Sequence, residues 1–401
     1  MRVQAGADLD LVLADIETLV SCESPSDDLE AVSRSAEVVA ALGERLLGVA
    51  PERIVIDGRT HLRWRFGDPV VLLLGHHDTV WPHGSLRRLP FTVEDGVLRG
   101  PGCFDMKTGV AMALHAVAAL PDRTGVSILI TGDEELGSPS SRALIEQEAI
   151  GCAATFVLEA AAEGGGVKIA RKGVSLYRVH ITGRAAHAGL EPERGVNAAI
   201  EAAHLLLAIA ALGDPAAGTS VTPTLVRAGS TTNTVPGTAE FAVDVRVRTI
   251  AEQDRVDAAL RAIPTTLPGA IVRVEGGANR RPLEPEASAR LFSDAVAIAE
   301  RMGLTPFEGV AVGGASDGNF TAALGVPTLD GLGAVGGGAH ADDEHVIIAM
   351  IPERLQLLQE LIATTLTGRE TPADRETPAD RERPADRERP ADRDAPTGGR
   401  A

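Results

Sequence analysis

The chain has 401 residues, 44% of them hydrophobic, enough for two domains of ordinary size with separate cores. Lys and Arg total 38 against 56 Asp and Glu, a net charge of -18 with no basic cluster. That balance disfavours nucleic acid or an anionic membrane as partner and favours a small-molecule or dipeptide substrate.

The first residues, Met1 to Asp8, have no apolar signal core behind a basic patch, and the internal apolar runs are too short to span a bilayer. A cytoplasmic enzyme is expected. The three cysteines, Cys22, Cys103 and Cys152, have no CxxC spacing, which points away from a disulfide framework or thiolate zinc site. Cys103 reads as a small buried apolar residue.

From Asp8 to Leu47 apolar residues recur at helical spacing, interrupted at Ser24-Pro25-Ser26, so two helices frame the entry. The runs Val70 to Leu74, Val126 to Ile130 and Ala154 to Leu158 are short, nearly continuous and rich in β-branched residues, with helical stretches between them such as Gly109 to Leu120. This alternation predicts an α/β fold with a mostly parallel sheet and helices on both faces. From about Lys172 the order becomes strand (Val174 to Thr182), helix (Gly195 to Leu212), strands (Ser220 to Ala228, Thr238 to Val247), helix (Ile250 to Ile263) and strand (Ala270 to Glu275), a split-βαβ sandwich. The first pattern resumes at Pro285 and ends with the helix Ile351 to Leu366. The expected division is therefore 1–172 and 284–368 for a catalytic domain, 173–283 for an inserted α+β domain, and 369–401 for a tail. In that tail a unit such as Arg369-Glu370-Thr371-Pro372-Ala373-Asp374 repeats about four times, each copy with a proline and no large apolar residue. It cannot bury enough surface to offset the entropy of ordering, and an extended disordered spacer is expected.

The chemistry lies at the strand ends. Gly75-His76-His77-Asp78-Thr79-Val80 is followed by Gly100-Pro101-Gly102-Cys103-Phe104-Asp105-Met106-Lys107 and Gly132-Asp133-Glu134-Glu135, and Glu159 follows a third apolar run. Open α/β sheets place active sites at that edge, and the residues supply the nitrogen and carboxylate ligands that zinc-like divalent ions prefer. His76 and Asp78 share a face in extended chain, so Asp78 can accept the other ring N–H of His76 and fix its tautomer. Four carboxylates brought together without a counter-ion would raise one another's pKa. Two divalent ions would be balanced by the ligand carboxylates Asp105, Glu135 and Glu159 with one bridging hydroxide, leaving Glu134 as a base. A distant histidine is needed, and His340, after the glycine-rich Gly331 to Gly338 loop, is favoured over His345, His187 and His83.

These motifs resemble the di-zinc exopeptidase and deacylase superfamily that contains aminoacylase, acetylornithine deacetylase, succinyl-diaminopimelate desuccinylase and the glutamate carboxypeptidases, over nearly everything up to Gly368. The resemblance implies that His76, Asp105 and Glu159 hold one zinc and Asp105, Glu135 and His340 the other. It also implies that Glu134 is the general base and that the Asp105–Met106 peptide is cis. Ile181-Thr182-Gly183-Arg184-Ala185-Ala186-His187-Ala188-Gly189 resembles the start of the family's dimerisation domain, which implies a homodimer in which His187 reaches the partner's active site and stabilises the oxyanion. His180 and His204 read as structural. Two ions about 3.5–4 Å apart would acidify a bridging water and polarise the scissile carbonyl together; cobalt or manganese could replace zinc in such mixed sites.

Pro82-His83-Gly84-Ser85-Leu86, Leu89-Pro90-Phe91 and Gly100-Pro101-Gly102 resemble the glutamate carboxypeptidase branch, which implies an amide bond to a C-terminal glutamate, folate-type substrates included. By the same resemblance Arg281, Asn233 and Arg246 are carboxylate clamps, and Gly314 belongs to a pocket-lining loop, Gly313 to Gly318. An arginine meets a carboxylate bidentately, as an exopeptidase reading a free terminus requires; for Arg246, a surface pair with Asp244 or Glu240 competes with that role. Met106 departs toward the deacylase branches and keeps N-acyl amino acids open as the alternative substrates. A non-catalytic metal-binding interaction protein is the remote alternative, opposed by the survival of all five ligands and the base together. The two-domain layout further suggests a lid-like closure of the insert.

Overall fold

The structure, a computed structural model, describes residues 8–368, so the repeat tail expected over 369–401 lies outside the described residues. The chain opens with α1 (Leu9–Val20) and α2 (Leu29–Leu47). Asp28 caps α2 by accepting the N–H groups of Glu30 and Ala31, and Gly48 ends it at φ 74°. A hairpin of β1 (Glu52–Ile56) and β2 (Arg59–Phe66) follows, then β3 (Val71–His76), α3 (Thr108–Ala118), β4 (Val126–Thr131), α4 (Arg142–Ala149) and β5 (Ala154–Val157). β6 (Val167–Arg171) ends where the chain crosses into a second sheet.

That second sheet holds β7 (Gly173–Thr182), β8 (Ser220–Ala228), β9 (Thr238–Val247) and β10 (Ile271–Arg280), with α5 (Ala198–Ala210) and α6 (Ile250–Arg261) between them in sequence. The spatial order is β8-β9-β7-β10, all antiparallel. Tyr177, Val179, Ile181, Phe241, Val243 and Val245 alternate toward Ala202, Leu205, Val256 and Leu260 of the helices and form a core of their own. The β-α-β-β-α-β order is the one expected from the sequence. α5 begins three residues later than expected because Asn197 accepts the N–H groups of Ala199 and Ile200. β10 runs five residues further, to Arg280, with a bulge between Ala278 and Arg280.

The chain returns through α7 (Pro285–Met302), β11 (Gly309–Val312), α8 (Gly318–Ala323), β12 (Thr328–Leu329) and α9 (Ile351–Thr367). The main sheet has the order β1-β2-β4-β3-β5-β12; β4-β3, β3-β5 and β5-β12 are parallel, and the β1-β2 hairpin adds antiparallel strands at one edge. β3, β4 and β5 are buried along their whole length, which is why they read as continuous apolar runs. Val71 and Leu73 join the α1, α3, α7 and α9 side chains in one core, while Leu72, Leu74 and Leu129 face Leu144, Ile145 and Phe320 of α4 and α8. Helices therefore cover both faces, and the carboxyl ends of β3, β4 and β5 meet at one edge. Among the described residues no helix is long and apolar enough to cross a membrane.

Candidate metal centre

His76 is the last residue of β3, Glu134 and Glu135 follow β4 by a few residues, and Glu159 stands two residues past β5. Asp105 arrives on the turn before α3, and its peptide bond to Met106 is cis. His340 comes from the loop after β12. Gly333 in that loop lies so close to the main chain that a Cβ would stand 2.2 Å from the Leu158 carbonyl oxygen, so a larger residue would push the segment off the site. His340 itself adopts φ 62°, a left-handed conformation that is uncommon without glycine.

Five of these groups, all but Glu134, form two triads that share Asp105. His76 Nε2 lies 3.3 Å from Asp105 Oδ1 and 3.6 Å from Glu159 Oε1. His340 Nε2 lies 3.3 Å from Asp105 Oδ2 and 3.3 Å from Glu135 Oε2. Ligands about 2.0–2.1 Å from a tetrahedral ion stand about 3.3 Å from each other, so the histidine–carboxylate distances fit corners around one cation, and the three ligand atoms of each triad lie within 4.8 Å of one another. Three buried atoms of these side chains have no hydrogen-bond partner: His76 Nε2, Asp105 Oδ1 and Glu135 Oε1. Buried polar atoms normally have partners, and a cation in each triad would supply them. Without it, the Asp105 and Glu135 carboxylates accept hydrogen bonds from the His340 imidazole and push its pKa up to about 10, so ion binding displaces a proton there.

Each ligand is held from behind. His76 Nδ1 donates to the Asp78 main-chain carbonyl at 2.9 Å, with the Asp78 carboxylate at 3.5 Å. The expected carboxylate acceptor is thus replaced by the carbonyl of the same residue. The Asp78 carboxylate instead accepts the N–H groups of Glu134 and Glu135 at 3.2 and 3.3 Å and orients the loop that carries them. Glu159 Oε2 accepts from Arg171 Nη2 at 3.2 Å, and Arg171 is locked bidentately on Asp330 at 2.7 and 3.0 Å. Arg171 also donates to the Gly314 carbonyl at 3.1 Å, which brings the Gly313 to Gly318 loop to the centre's flank. Neither Arg171 nor Asp330 was anticipated; their signal was only a basic dipeptide, Arg171-Lys172, at the point of crossing.

Glu134 sits beside the triads. Burial pushes its carboxyl well above the usual range; Arg280 opposes that rise, and Asp317 and Glu159 add to it. Arg280 Nη2 lies 3.0 Å from Glu134 Oε1 and 2.8 Å from both Asp317 Oδ1 and Ser138 Oγ. The arginine at this site is therefore Arg280. Arg281 points elsewhere, to Asp254 and, at 3.3 Å, to Gln253 Oε1.

The other candidates lie between Gly173 and Arg280, Arg246 on the second sheet and His187 and Asn233 outside it, and bond locally. Arg246 makes a bidentate pair with Asp244 at 2.8 and 3.0 Å, the surface pairing that competes with a substrate role. His187 is exposed, accepts the Gly189 N–H at its Nδ1 (3.1 Å) and pairs along the backbone with Thr234. Asn233 accepts the Ala188 N–H through its carbonyl at 2.9 Å. The rival histidines have other neighbours: His83 meets Asp28 at 2.8 Å and His345 meets the Asp343 carbonyl at 2.8 Å. His180 lies 3.7 Å from Glu240 and 3.3 Å from Glu275.

The comparisons with known proteins agree with this centre. The model of peptidase family M20/M25/M40 matches residues 72–364, which include every ligand named above. Carboxypeptidase G2 of Pseudomonas sp. (strain RS-16) is 32% identical over 379 residues, covering 89% of this chain and 90% of that protein. Succinyl-diaminopimelate desuccinylase of Stenotrophomonas maltophilia (strain R551-3) is 29% identical over 323 residues, 75% of this chain and 85% of that protein. In overall fold the chain is similar to aminopeptidase PepT from Bacillus cereus, with a TM-score of 0.72 at 21% identity over 90% of this chain and 99% of that one. Paired triads around a shared aspartate and a family match that spans them lead to one assignment: the chain belongs to peptidase family M20/M25/M40 and is a metal-dependent hydrolase.

Proposed function

We propose that the protein is a di-zinc exopeptidase that hydrolyses the amide bond to a C-terminal amino acid, glutamate or a folate-type conjugate, as a cytoplasmic homodimer. The observation that carries the reading is the sharing of Asp105 between two triads in which His76 Nε2, Asp105 Oδ1 and Glu135 Oε1 lack partners, with a buried glutamate beside them. Its likeness to a carboxypeptidase over 89% of the chain supports the choice of bond. When bound, the ions would supply Lewis acidity to the scissile carbonyl and to the attacking water.

The rest of the work falls to side chains. Glu134 accepts the proton of the attacking water at its carboxylate and delivers it to the leaving nitrogen. Arg280 holds the Glu134 carboxylate in place, and Asp78 holds the backbone of Glu134 and Glu135. His187 of the partner subunit donates to the developing oxyanion. Arg246 and Asn233 meet the terminal carboxylate of the substrate once Arg246 releases Asp244. The second sheet then closes over the substrate as a lid. Cobalt or manganese could serve in place of zinc.

A hydrolysis panel tests this on zinc-loaded protein: Xaa-Glu dipeptides, a folate analogue, and N-acetyl and N-succinyl amino acids, each with and without chelator. Glutamate release that chelation abolishes is the expected result. Cleavage of acylated amino acids alone would move the protein to the second reading, an N-acyl amino acid deacylase, which the likeness to a desuccinylase favours. Silence across the panel would remove both.

A further inference from the structure

Glu344 follows His340 by four residues and is 3% exposed. Its carboxylate collects four N–H donors. Oε1 accepts from the main chain of Phe104 at 2.9 Å and of Asp105 at 3.0 Å. Oε2 accepts from the main chain of Gly102 at 2.8 Å and from Trp81 Nε1 at 2.7 Å. Three of these donors belong to the turn that presents the bridging aspartate, which leads into α3. Glu344 is tied back to its own loop as well, its N–H donating to Ala341 at 3.0 Å while Ala341 N–H donates to Gly338 at 2.9 Å. Between those bonds His340 holds its left-handed φ of 62°.

A carboxylate buried among donors from another segment fixes both segments at once, because each unsatisfied N–H would cost as much as a lost hydrogen bond. Asp105 serves both triads and His340 only the second. The turn carrying the first and the loop carrying the second are joined here by one side chain that touches neither set of ligand atoms. We propose that Glu344 is a positioning residue of the metal centre, setting the Asp105 backbone and the His340 loop in mutual register so that both triads reach ligand spacing together. The proposal rests on the metal reading above.

The test is Co2+ titration of chelator-stripped full-length protein, followed by ion count per subunit, visible absorption and the melting temperature of the metal-free form. Wild type should take two ions per subunit; if it takes none, the metal reading fails independently of Glu344. Glu344→Gln turns an amide NH2 toward two N–H donors and should weaken Co2+ binding by about 10- to 100-fold, the usual effect of removing a partner behind a ligand. The absorption band of the second ion should weaken most, and at saturating metal kcat should fall with KM within about twofold. Trp81→Phe removes one donor and keeps the carboxylate, so it answers the question if Glu344→Gln does not fold; a loss of several-fold in affinity is expected. Co2+ affinities within about twofold of wild type in the folded variants, or a lower melting temperature with unchanged affinity, would overturn the proposal.

Discussion

At the metal centre His76 alone leans on a near neighbour, Asp78, while the other functional segments are tied to more distant parts of the chain: Glu159 to Arg171, itself locked on Asp330, the Glu134–Glu135 loop to Asp78, and the Asp105 turn to Glu344. In the segment that carries the second sheet, His187 bonds two residues away to Gly189, and Arg246 two residues away to Asp244. The difference separates contacts fixed in advance from contacts that can be exchanged. Long-range buried bonds fix geometry before substrate arrives, which is what rate acceleration by positioned charges requires. Exposed local pairs are worth about 0–1 kcal/mol and can be exchanged for a substrate carboxylate at little cost.

The sharpest way to break this contrast is at Glu134. Glu134→Gln keeps the shape and the Arg280 contact but cannot take a proton, so kcat should fall by about 10²–10⁴-fold with metal content unchanged. A variant with near-normal kcat would remove Glu134 from the base role and leave the buried region without its chemical centre.

The next effect tests whether the locally bonded region acts across subunits. His187→Ala should lower kcat by about 10²–10³-fold, the usual loss of one oxyanion donor, with little change in melting temperature because the ring is exposed. Mixing this variant with Glu134→Gln sharpens the comparison: if His187 serves the partner, some mixed dimers regain an intact site and activity returns. Failure of mixing to restore activity, with subunit exchange verified, would place His187 within its own subunit or outside the reaction.

Arg246→Ala should act on binding instead. Loss of a charge-assisted bidentate contact, about 1.5–3 kcal/mol, predicts a KM rise of roughly 10- to 100-fold with kcat nearly kept. Loss of the Asp244 pair should cost stability by about 1 kcal/mol or less. An unchanged KM would leave Arg246 as a surface pair only.

The same contrast explains what was legible in the sequence. The continuous runs of β3, β4 and β5, and the ligands placed at their ends, could be read because strands buried on both faces leave an unmistakable pattern. The β1–β2 hairpin was not read, although Leu62, Trp64 and Phe66 alternate with Arg63 and Arg65 in β2, and only the fold shows that the two arginines pair with Glu148 of α4. Glu344 looked like one acid among several in Asp342-Asp343-Glu344, since nothing local signals four donors waiting 240 residues upstream. Arg171 was hidden for the same reason. Residues that act through distant backbone or a distant carboxylate carry no motif of their own.

The smallest expected effect falls on the arginine that the sequence favoured. Arg280 and Arg281 are neighbours, and which of them reaches Glu134 depends on the bulge between Ala278 and Arg280, where an extra residue in β10 re-aims the side chains beyond it. Arg280 is directed inward to Glu134, Asp317 and Ser138, with its ring-facing side over Phe320 at 5.1 Å. Arg281 is left on the surface of α6, paired with Asp254, where its side chain is 40% exposed. Arg281→Ala should therefore leave KM and kcat within about twofold of wild type and change stability by no more than about 1 kcal/mol. A tenfold rise in KM would mean that lid closure carries Arg281 away from Asp254 and onto the substrate, making its surface pairing, like that of Arg246, a resting contact in a part of the molecule that moves.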